Sequence, residues 1–209
     1  MIAASFKKRE THTLHFMEFA DRKVAGTLLF VGATQFIICL VIAEILYPNY
    51  NVSTKYISDL GVGDSAIIFN SSIFLLGLMI VAGAYFVQRA FNSKLTLIML
   101  IMAGIGAMGV GLFTEDTRQI HVAFSLIVFL FGGLSAIVCY KLQKPPLSYI
   151  SVILGSATLL ALALFGTENY LGFGPGGMER MIAYPVLLWA IGFGGHLISY
   201  QENRKAPKP

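Results

Sequence analysis

Six apolar segments of membrane-spanning length constrain what this chain can fold into. Each is long enough to cross the hydrocarbon core of a bilayer as a helix, which takes about 17–25 residues. Only 12% of the residues are charged, whereas a soluble domain carries about 25%. The segments are 24–47, 66–88, 95–113, 120–140, 147–165 and 181–200. The sequence therefore predicts an all-α polytopic membrane protein, with six transmembrane helices in one bundle.

The basic residues are unevenly divided between the two sides of these segments. Of the 15 Lys and Arg residues, all but Lys55, Arg118 and Arg180 lie in four segments: 1–23, 89–94, 141–146 and 201–209. Cytoplasmic loops carry the excess of Lys and Arg, so both termini are predicted to be cytoplasmic. The expected organisation is a basic segment (1–23), a transmembrane domain (24–200) and a tail (201–209) in a multi-pass protein of the cell membrane.

The N-terminal basic segment has a weak amphipathic stripe, which predicts a short interfacial helix. Its two histidines, His12 and His15, are expected to contact lipid headgroups, because no Cys or acidic cluster accompanies them. The apolar run that follows is too long for a signal peptide, so none is predicted.

Small residues in the third segment predict close helix packing. Ala103, Ala107 and Gly111 form a row spaced by four residues that lets a neighbouring helix approach. Substitution of Leu for Gly106 or Ala107 is therefore expected to destabilise the bundle by about 1–3 kcal/mol.

The two cysteines, Cys39 and Cys139, lie at different depths of their segments, and no disulfide between them is predicted.

Polar residues gather at the predicted outer face, where the second, fourth and sixth segments begin. The glycine-rich stretch 172–180 offers bare backbone N–H groups at a helix start, beside the charge of Arg180. That combination suits an anionic headgroup or a carboxylate. The ligand-binding hypothesis comprises eight residues: Glu44, Asp59, Asn70, His121, Gly176, Gly177, Glu179 and Arg180. An alternative role for nearby acids, as helix caps or first-turn residues, applies to Asp64, Glu115, Asp116 and Glu179.

Glu44 needs a partner, because an ionisable side chain within an apolar membrane segment is costly when left charged and alone. The cations predicted on the same side are Lys55, Arg118 and Arg180. Arg180 begins a helix, whereas Arg118 has acidic neighbours of its own and Lys55 lies in a loop. We therefore expect Glu44 and Arg180 to meet, directly or through a ligand or water.

No metal or other cofactor is predicted. The two histidines within the membrane segments, His121 and His196, lie at opposite depths and cannot share an ion. A hydrolase site of Ser58, His121 and Asp59 can be written down, but adjacent residues do not easily flank one imidazole. Whether the protein is an enzyme stays open.

Several motifs together resemble one family of membrane proteins. They are Tyr56-Ile57-Ser58-Asp59-Leu60-Gly61, Phe69-Asn70, Leu112-Phe113-Thr114-Glu115 with His121, and Gly174-Pro175-Gly176-Gly177-Met178-Glu179-Arg180. Over residues 24–200 the chain resembles the archaeal and bacterial six-helix family catalogued as domain of unknown function 998. The resemblance implies the fold and topology, and the family name carries no settled activity.

The residues leave three functions open. The leading hypothesis is a lipid-binding pocket at the outer face that binds, with or without processing, a lipid headgroup or small anionic ligand. The alternatives are a non-catalytic structural subunit of a membrane complex and a transporter for a small solute or ion, with a polar path past Gln35. The bilayer is the expected environment, no nucleic-acid partner is expected, and the oligomeric state stays open.

Overall fold

The computed structural model describes residues 2–199, with side chains from residue 17 onward. It confirms the all-α fold: these residues form no strand, and six helices are long and apolar enough to cross a membrane. The helices are α1 (Ile2–Leu46), α2 (Ala66–Phe91), α3 (Lys94–Leu112), α4 (Arg118–Val138), α5 (Leu147–Gly166) and α6 (Gly174–Ser199). Short 3-10 turns, Ser58–Gly61 and Gly63–Ser65, precede α2.

Two helices begin earlier than predicted. The basic segment 1–23 does not form a separate interfacial helix, because α1 is continuous from Ile2 to Leu46. The side chains of its two histidines lie outside the described part.

The sixth helix begins at Gly174 instead of residue 181. Pro175 is suited to a first turn, where its missing N–H is not needed, so the glycine-rich stretch is helical from Gly174 onward. The predicted end of this segment, Tyr200, falls outside the described residues.

The six helices form a closed ring in chain order. Each packs on its neighbours in sequence, and α6 returns to pack on α1. Contacts also join α4 to α6 directly, so α5 lies on the outside of the ring and the interior is enclosed by the other five helices. Three loops, at 47–65, 113–117 and 167–173, lie at the end of the ring that we call the loop end.

Glycines set close helix contacts, among them Gly111 of the predicted row. A Cβ added to Gly106 would lie 2.5 Å from the backbone nitrogen of Val128, so α3 and α4 touch there. A Cβ on Gly111 would lie 2.6 Å from a carbonyl oxygen of α2. The alanines of the predicted row, Ala103 and Ala107, instead line an internal cavity. Close approach of the helices is therefore seen at Gly106 and Gly111, whereas Ala103 and Ala107 are buried beside the cavity.

The polar groups halfway along the bundle connect helices. The side chain of Gln35 donates a hydrogen bond from Nε2 to the backbone oxygen of Ser72, 2.9 Å away, and so links α1 to α2. Cys39 and Cys139 are both free thiols. Gln35 thus has a packing partner that explains its position without a polar path.

Candidate functional site

Arg180 and Glu44 meet at the loop end, as the sequence predicts. Arg180 Nη2 lies 2.6 Å from Glu44 Oε1 and 2.5 Å from the hydroxyl of Tyr50. The Arg180 side chain is only 8% exposed and that of Glu44 20%, so water screens this pair less than a surface pair. We call Glu44, Tyr50 and Arg180 the arginine cluster.

The arginine cluster also holds the loop after α1 against the start of α6. Arg180 Nη1 donates to the backbone oxygens of Val52, Lys55 and Gly176 at 3.1, 3.4 and 2.8 Å. The backbone N–H of Gly176 donates to Ser53 O at 2.9 Å. A Cβ on Gly176 would lie 1.9 Å from Lys55 O. Glycine is therefore required here because the two backbones touch.

Tyr50 completes this cluster as a neutral phenol. Its hydroxyl donates to the backbone oxygen of Tyr56 at 2.9 Å while it accepts from Arg180. Burial raises the pKa of Tyr50 to about 12, since the apolar surroundings disfavour the phenolate. The Arg180 guanidinium carbon lies 5.4 Å from the centre of the Tyr50 ring, within range of a cation–π contact.

A second polar group lies beside the first and is dominated by carboxylates. Its members come from the 3-10 turn after α1, the 3-10 turn before α4, the first turn of α4 and the second turn of α6. We call it the acidic cluster: Ser58, Asp59, Glu115, His121 and Glu179. Glu179 and His121 are 6% and 5% exposed, so these ionisable groups are almost entirely withdrawn from solvent.

The carboxylates of the acidic cluster accept hydrogen bonds mainly from the loop backbone. Glu179 Oε2 accepts from the N–H of Ile57 at 2.5 Å, and Asp59 Oδ2 accepts from the N–H of Tyr56 at 2.8 Å. Glu115 Oε2 accepts from the Ser58 hydroxyl at 3.1 Å and lies against the carboxyl group of Asp59. Apart from His121, the cluster contains no basic side chain.

His121 is held in one tautomer by the chain before α4. Its Nδ1 lies 2.8 Å from the backbone oxygen of Phe113. A carbonyl oxygen only accepts, so Nδ1 carries a proton and a neutral ring keeps Nε2 as an acceptor. Ser58 and Asp59 have the other partners given above, so the Ser-His-Asp arrangement weighed from the sequence is not assembled.

The expected helix caps are not formed. The starts of α2 and α4 have no side-chain cap hydrogen bond, so Asp64, Glu115 and Asp116 do not cap them. These acids do lie in the first turns of the 3-10 helices that lead into α2 and α4, as the alternative role predicts. Glu179 lies beyond the first turn of α6, because that helix begins at Gly174. Ser65, at the position before α2, instead donates from its hydroxyl to Leu60 O at 2.8 Å. Residues near these helix starts, such as Ser65 and Glu115, therefore hydrogen-bond to the loop after α1 instead of capping the helices.

Besides Gly176, described above, two predicted site residues belong to neither cluster: Asn70 and Gly177. Asn70 donates from Nδ2 to the backbone oxygen of Gly61 at 2.9 Å and so holds the 3-10 turn against α2. A Cβ on Gly177 would meet only the Cβ of Phe173, at 3.0 Å. Both residues have local packing roles.

An internal cavity of about 90 Å³ begins next to the acidic cluster. At the loop end it is lined by Ile57, Ser58 and Glu179, and its wall is otherwise largely apolar, with Phe36, Phe69 and Phe129 among the lining residues. Along α6 the lining runs from Glu179 to Ala190, about 16 Å at 1.5 Å per residue. The cavity is therefore long and narrow, and none of its lining comes from α5. The local sequence pattern gave no signal for it.

The described residues 17–199 contain no group of three or more His, Cys, Asp and Glu side chains placed to hold a metal ion. The chemistry available at the acidic cluster is therefore that of carboxylates, one hydroxyl and one imidazole. These groups accept hydrogen bonds, attract positive charge and exchange protons.

The ring of apolar helices defines an integral membrane protein with six spans. The chain belongs to the family described as a protein of unknown function (DUF998), whose family model matches residues 30–196. Neither the curated proteins nor the solved structures contain a significant match.

Proposed function

We propose that this membrane protein binds a ligand with a single apolar chain and a small polar head. The chain of the ligand occupies the internal cavity, and its head lies at the acidic cluster. With the orientation expected from the basic residues, this end faces away from the cytoplasm. The observation that carries the proposal is the cavity itself: narrow, about 16 Å long by the helix rise, and polar at the loop end where Ser58 and Glu179 line it.

The charge of the acidic cluster favours a neutral or cationic head. Asp59, Glu115 and Glu179 are three carboxyl groups with one imidazole among them. A small anionic ligand, which the glycine-rich stretch suggested, would be repelled by carboxylates in a site of low dielectric. Arg180, next to Glu179 in sequence, offsets only part of this repulsion, because its charge is already paired with that of Glu44 within the arginine cluster.

A second candidate, a non-catalytic structural subunit, is supported by the arginine cluster. There the polar groups bond to each other and to the loop backbone, as expected of residues that only hold a fold together. A protein with this role alone would not bind an apolar probe in its cavity, so one binding experiment separates the two candidates.

The test uses the single tryptophan of the chain, Trp189, which lines the cavity. Purified protein in phospholipid nanodiscs is titrated with 12-bromo-1-dodecanol, whose bromine quenches tryptophan on contact. The expected result is saturable quenching that unbrominated 1-dodecanol reverses. Nonspecific quenching from the bilayer would rise with probe concentration without saturating.

A cavity-filling substitution makes this test specific. Ala107→Leu puts a larger side chain into the cavity wall, where Ala107 is fully buried, and should weaken the saturable quenching at least tenfold. The matched control is Ala163→Leu, at an exposed position of α5, which should leave quenching unchanged. Absence of saturable quenching in the wild type, or equal quenching in both variants, would contradict the proposed function.

A further inference from the structure

Two buried polar atoms with no hydrogen-bond partner among the described residues belong to side chains that line the cavity far from the loop end. They are the hydroxyl oxygen of Ser135 and the indole nitrogen of Trp189. Ser135 is 1% exposed and Trp189 5%. Buried donors are nearly always paired in native proteins, so each one without a partner calls for an explanation.

The two atoms belong to residues at the same depth of the bundle. Gly132 on α4 faces Val186 on α6, since a Cβ on Gly132 would lie 3.2 Å from a Val186 methyl group. Both helices run away from the loop end, and Ser135 and Trp189 each follow three residues later. Their side chains therefore reach the cavity at one level, about 15 Å from Glu179 along α6 at 1.5 Å per residue.

We infer that Ser135 and Trp189 form a hydrogen-bond donor site for an oxygen acceptor on the bound ligand, by chemistry a carbonyl group. This inference rests on the proposed function, because it concerns the far end of the same cavity. The indole N–H can only donate, and the serine hydroxyl can donate as well. Two donors at one level of the cavity can serve the two lone pairs of a carbonyl oxygen. The ligand class is thus an apolar chain that carries a carbonyl group distant from its polar head.

The surroundings of the donor pair favour such a ligand over a hydrocarbon chain alone. The neighbouring lining consists of apolar residues, among them Leu29, Leu100 and Ala190. A hydrocarbon chain in this position would leave both donors buried and unpaired, which is unfavourable. A carbonyl group would satisfy them while the rest of the chain keeps its apolar contacts.

The experiment compares two competitors of equal length, 2-dodecanone and dodecane, in their ability to displace 12-bromo-1-dodecanol from the nanodisc protein. Amounts are expressed relative to lipid, so that different partitioning into the bilayer cancels. The expected result is displacement by 2-dodecanone at about fivefold lower concentration, the size of one net hydrogen bond.

Two serine variants locate the effect. Ser135→Ala should reduce the preference for 2-dodecanone to about twofold or less, while it retains Trp189 as the fluorescent reporter. Ser125→Ala, a serine on the same helix that lines the cavity nearer the loop end, should keep the full preference.

The outcomes separate this inference from the proposed function. If both competitors displace the probe equally in the wild type, the donor site is not used by a ligand and this inference is overturned, whereas the proposed function stands. The same conclusion follows if Ser135→Ala keeps the full preference. If the brominated probe does not bind saturably at all, the proposed function itself fails.

Discussion

The arginine cluster and the acidic cluster lie side by side at the loop end and are built on opposite principles. In the first, one guanidinium meets one carboxylate, one phenol and three backbone oxygens. In the second, three carboxyl groups lie near one imidazole, and one of them, Glu179, lines a cavity. Neighbours in sequence, Glu179 and Arg180, belong to different clusters. Burial and position alone therefore do not tell a structural residue from a candidate binding residue; the pairing of charges does.

The largest effect is expected from the glycine that the arginine cluster requires. Gly176→Ala would place a Cβ 1.9 Å from the Lys55 carbonyl oxygen, and a backbone atom cannot move aside cheaply. We expect a loss of several kcal/mol or failure to fold, measured as detergent-solubilised yield and thermal unfolding. Gly192→Ala, in the same helix with open space around it, is the control. If Gly176→Ala and Gly192→Ala were equally stable, the contact with the Lys55 carbonyl oxygen would not require glycine at position 176.

The Glu44–Arg180 pair is tested by a double-mutant cycle. Arg180→Gln should destabilise the protein by about 3 kcal/mol, and by clearly less in a Glu44→Gln background, because removing one partner of a buried pair leaves the other charge uncompensated. The coupling free energy should exceed about 1 kcal/mol. The comparison pair, Arg89 and Asp21, has an arginine side chain that is 36% exposed and should couple by less than about 1 kcal/mol.

Additive effects of Glu44→Gln and Arg180→Gln, within about 0.5 kcal/mol, would mean that the two side chains do not interact. The arginine cluster would then lose its charge pairing, and the contrast with the acidic cluster would disappear.

Tyr50 gives the arginine cluster a pH dependence. Its pKa is raised from 10.0 to about 12 in the folded protein, so the folded state holds the phenol proton more tightly than the unfolded chain. The stabilisation is complete below pH 10 and is lost as the pH rises towards 12. Tyr50→Phe should make the fall in unfolding free energy over this range shallower, whereas Tyr149→Phe, at an exposed tyrosine, should not. An unchanged slope in Tyr50→Phe would contradict the assigned role.

The smallest effect is expected in the acidic cluster. Glu179→Gln keeps an acceptor for the Ile57 N–H and removes one of three carboxyl groups, so stability should change by less than about 0.5 kcal/mol or increase slightly. Arg180→Gln, at the adjacent residue, provides the contrast, because it is expected to lower the stability by about 3 kcal/mol. A loss above about 2 kcal/mol in thermal unfolding of Glu179→Gln would show that this carboxylate is needed for the fold, as Glu44 is.

The features that the sequence predicts well are those set by local composition or by elimination. Hydropathy over a window identifies all six helices, because every backbone group in a bilayer must be bonded within its own helix. The partner of Glu44 follows because few cations are available on its side. The sixth apolar segment begins at residue 181 because Glu179 and Arg180 before it are charged, whereas the helix itself begins earlier, at Gly174.

The cavity and the donor pair depend on which faces of five helices converge, and no local pattern encodes that. Ala103 and Ala107 have the spacing of a packing row, yet they face the cavity while Gly106 takes the helix contact. Likewise Ser135 and Trp189 are unremarkable in an apolar segment until the register of α4 and α6 brings them to one level. Tertiary register decides both cases.

The closed ring in chain order has a consequence for how the protein is made. Helices α1 to α5 can each pack on the preceding helix as they leave the ribosome, but the ring closes only when α6 reaches α1, where Gly26 and Gly194 allow the backbones to touch. Because α6 also supplies Glu179, Arg180 and Trp189, this sixth helix brings the final member of both clusters and of the donor pair. Biogenesis therefore completes the fold and the candidate site in one step.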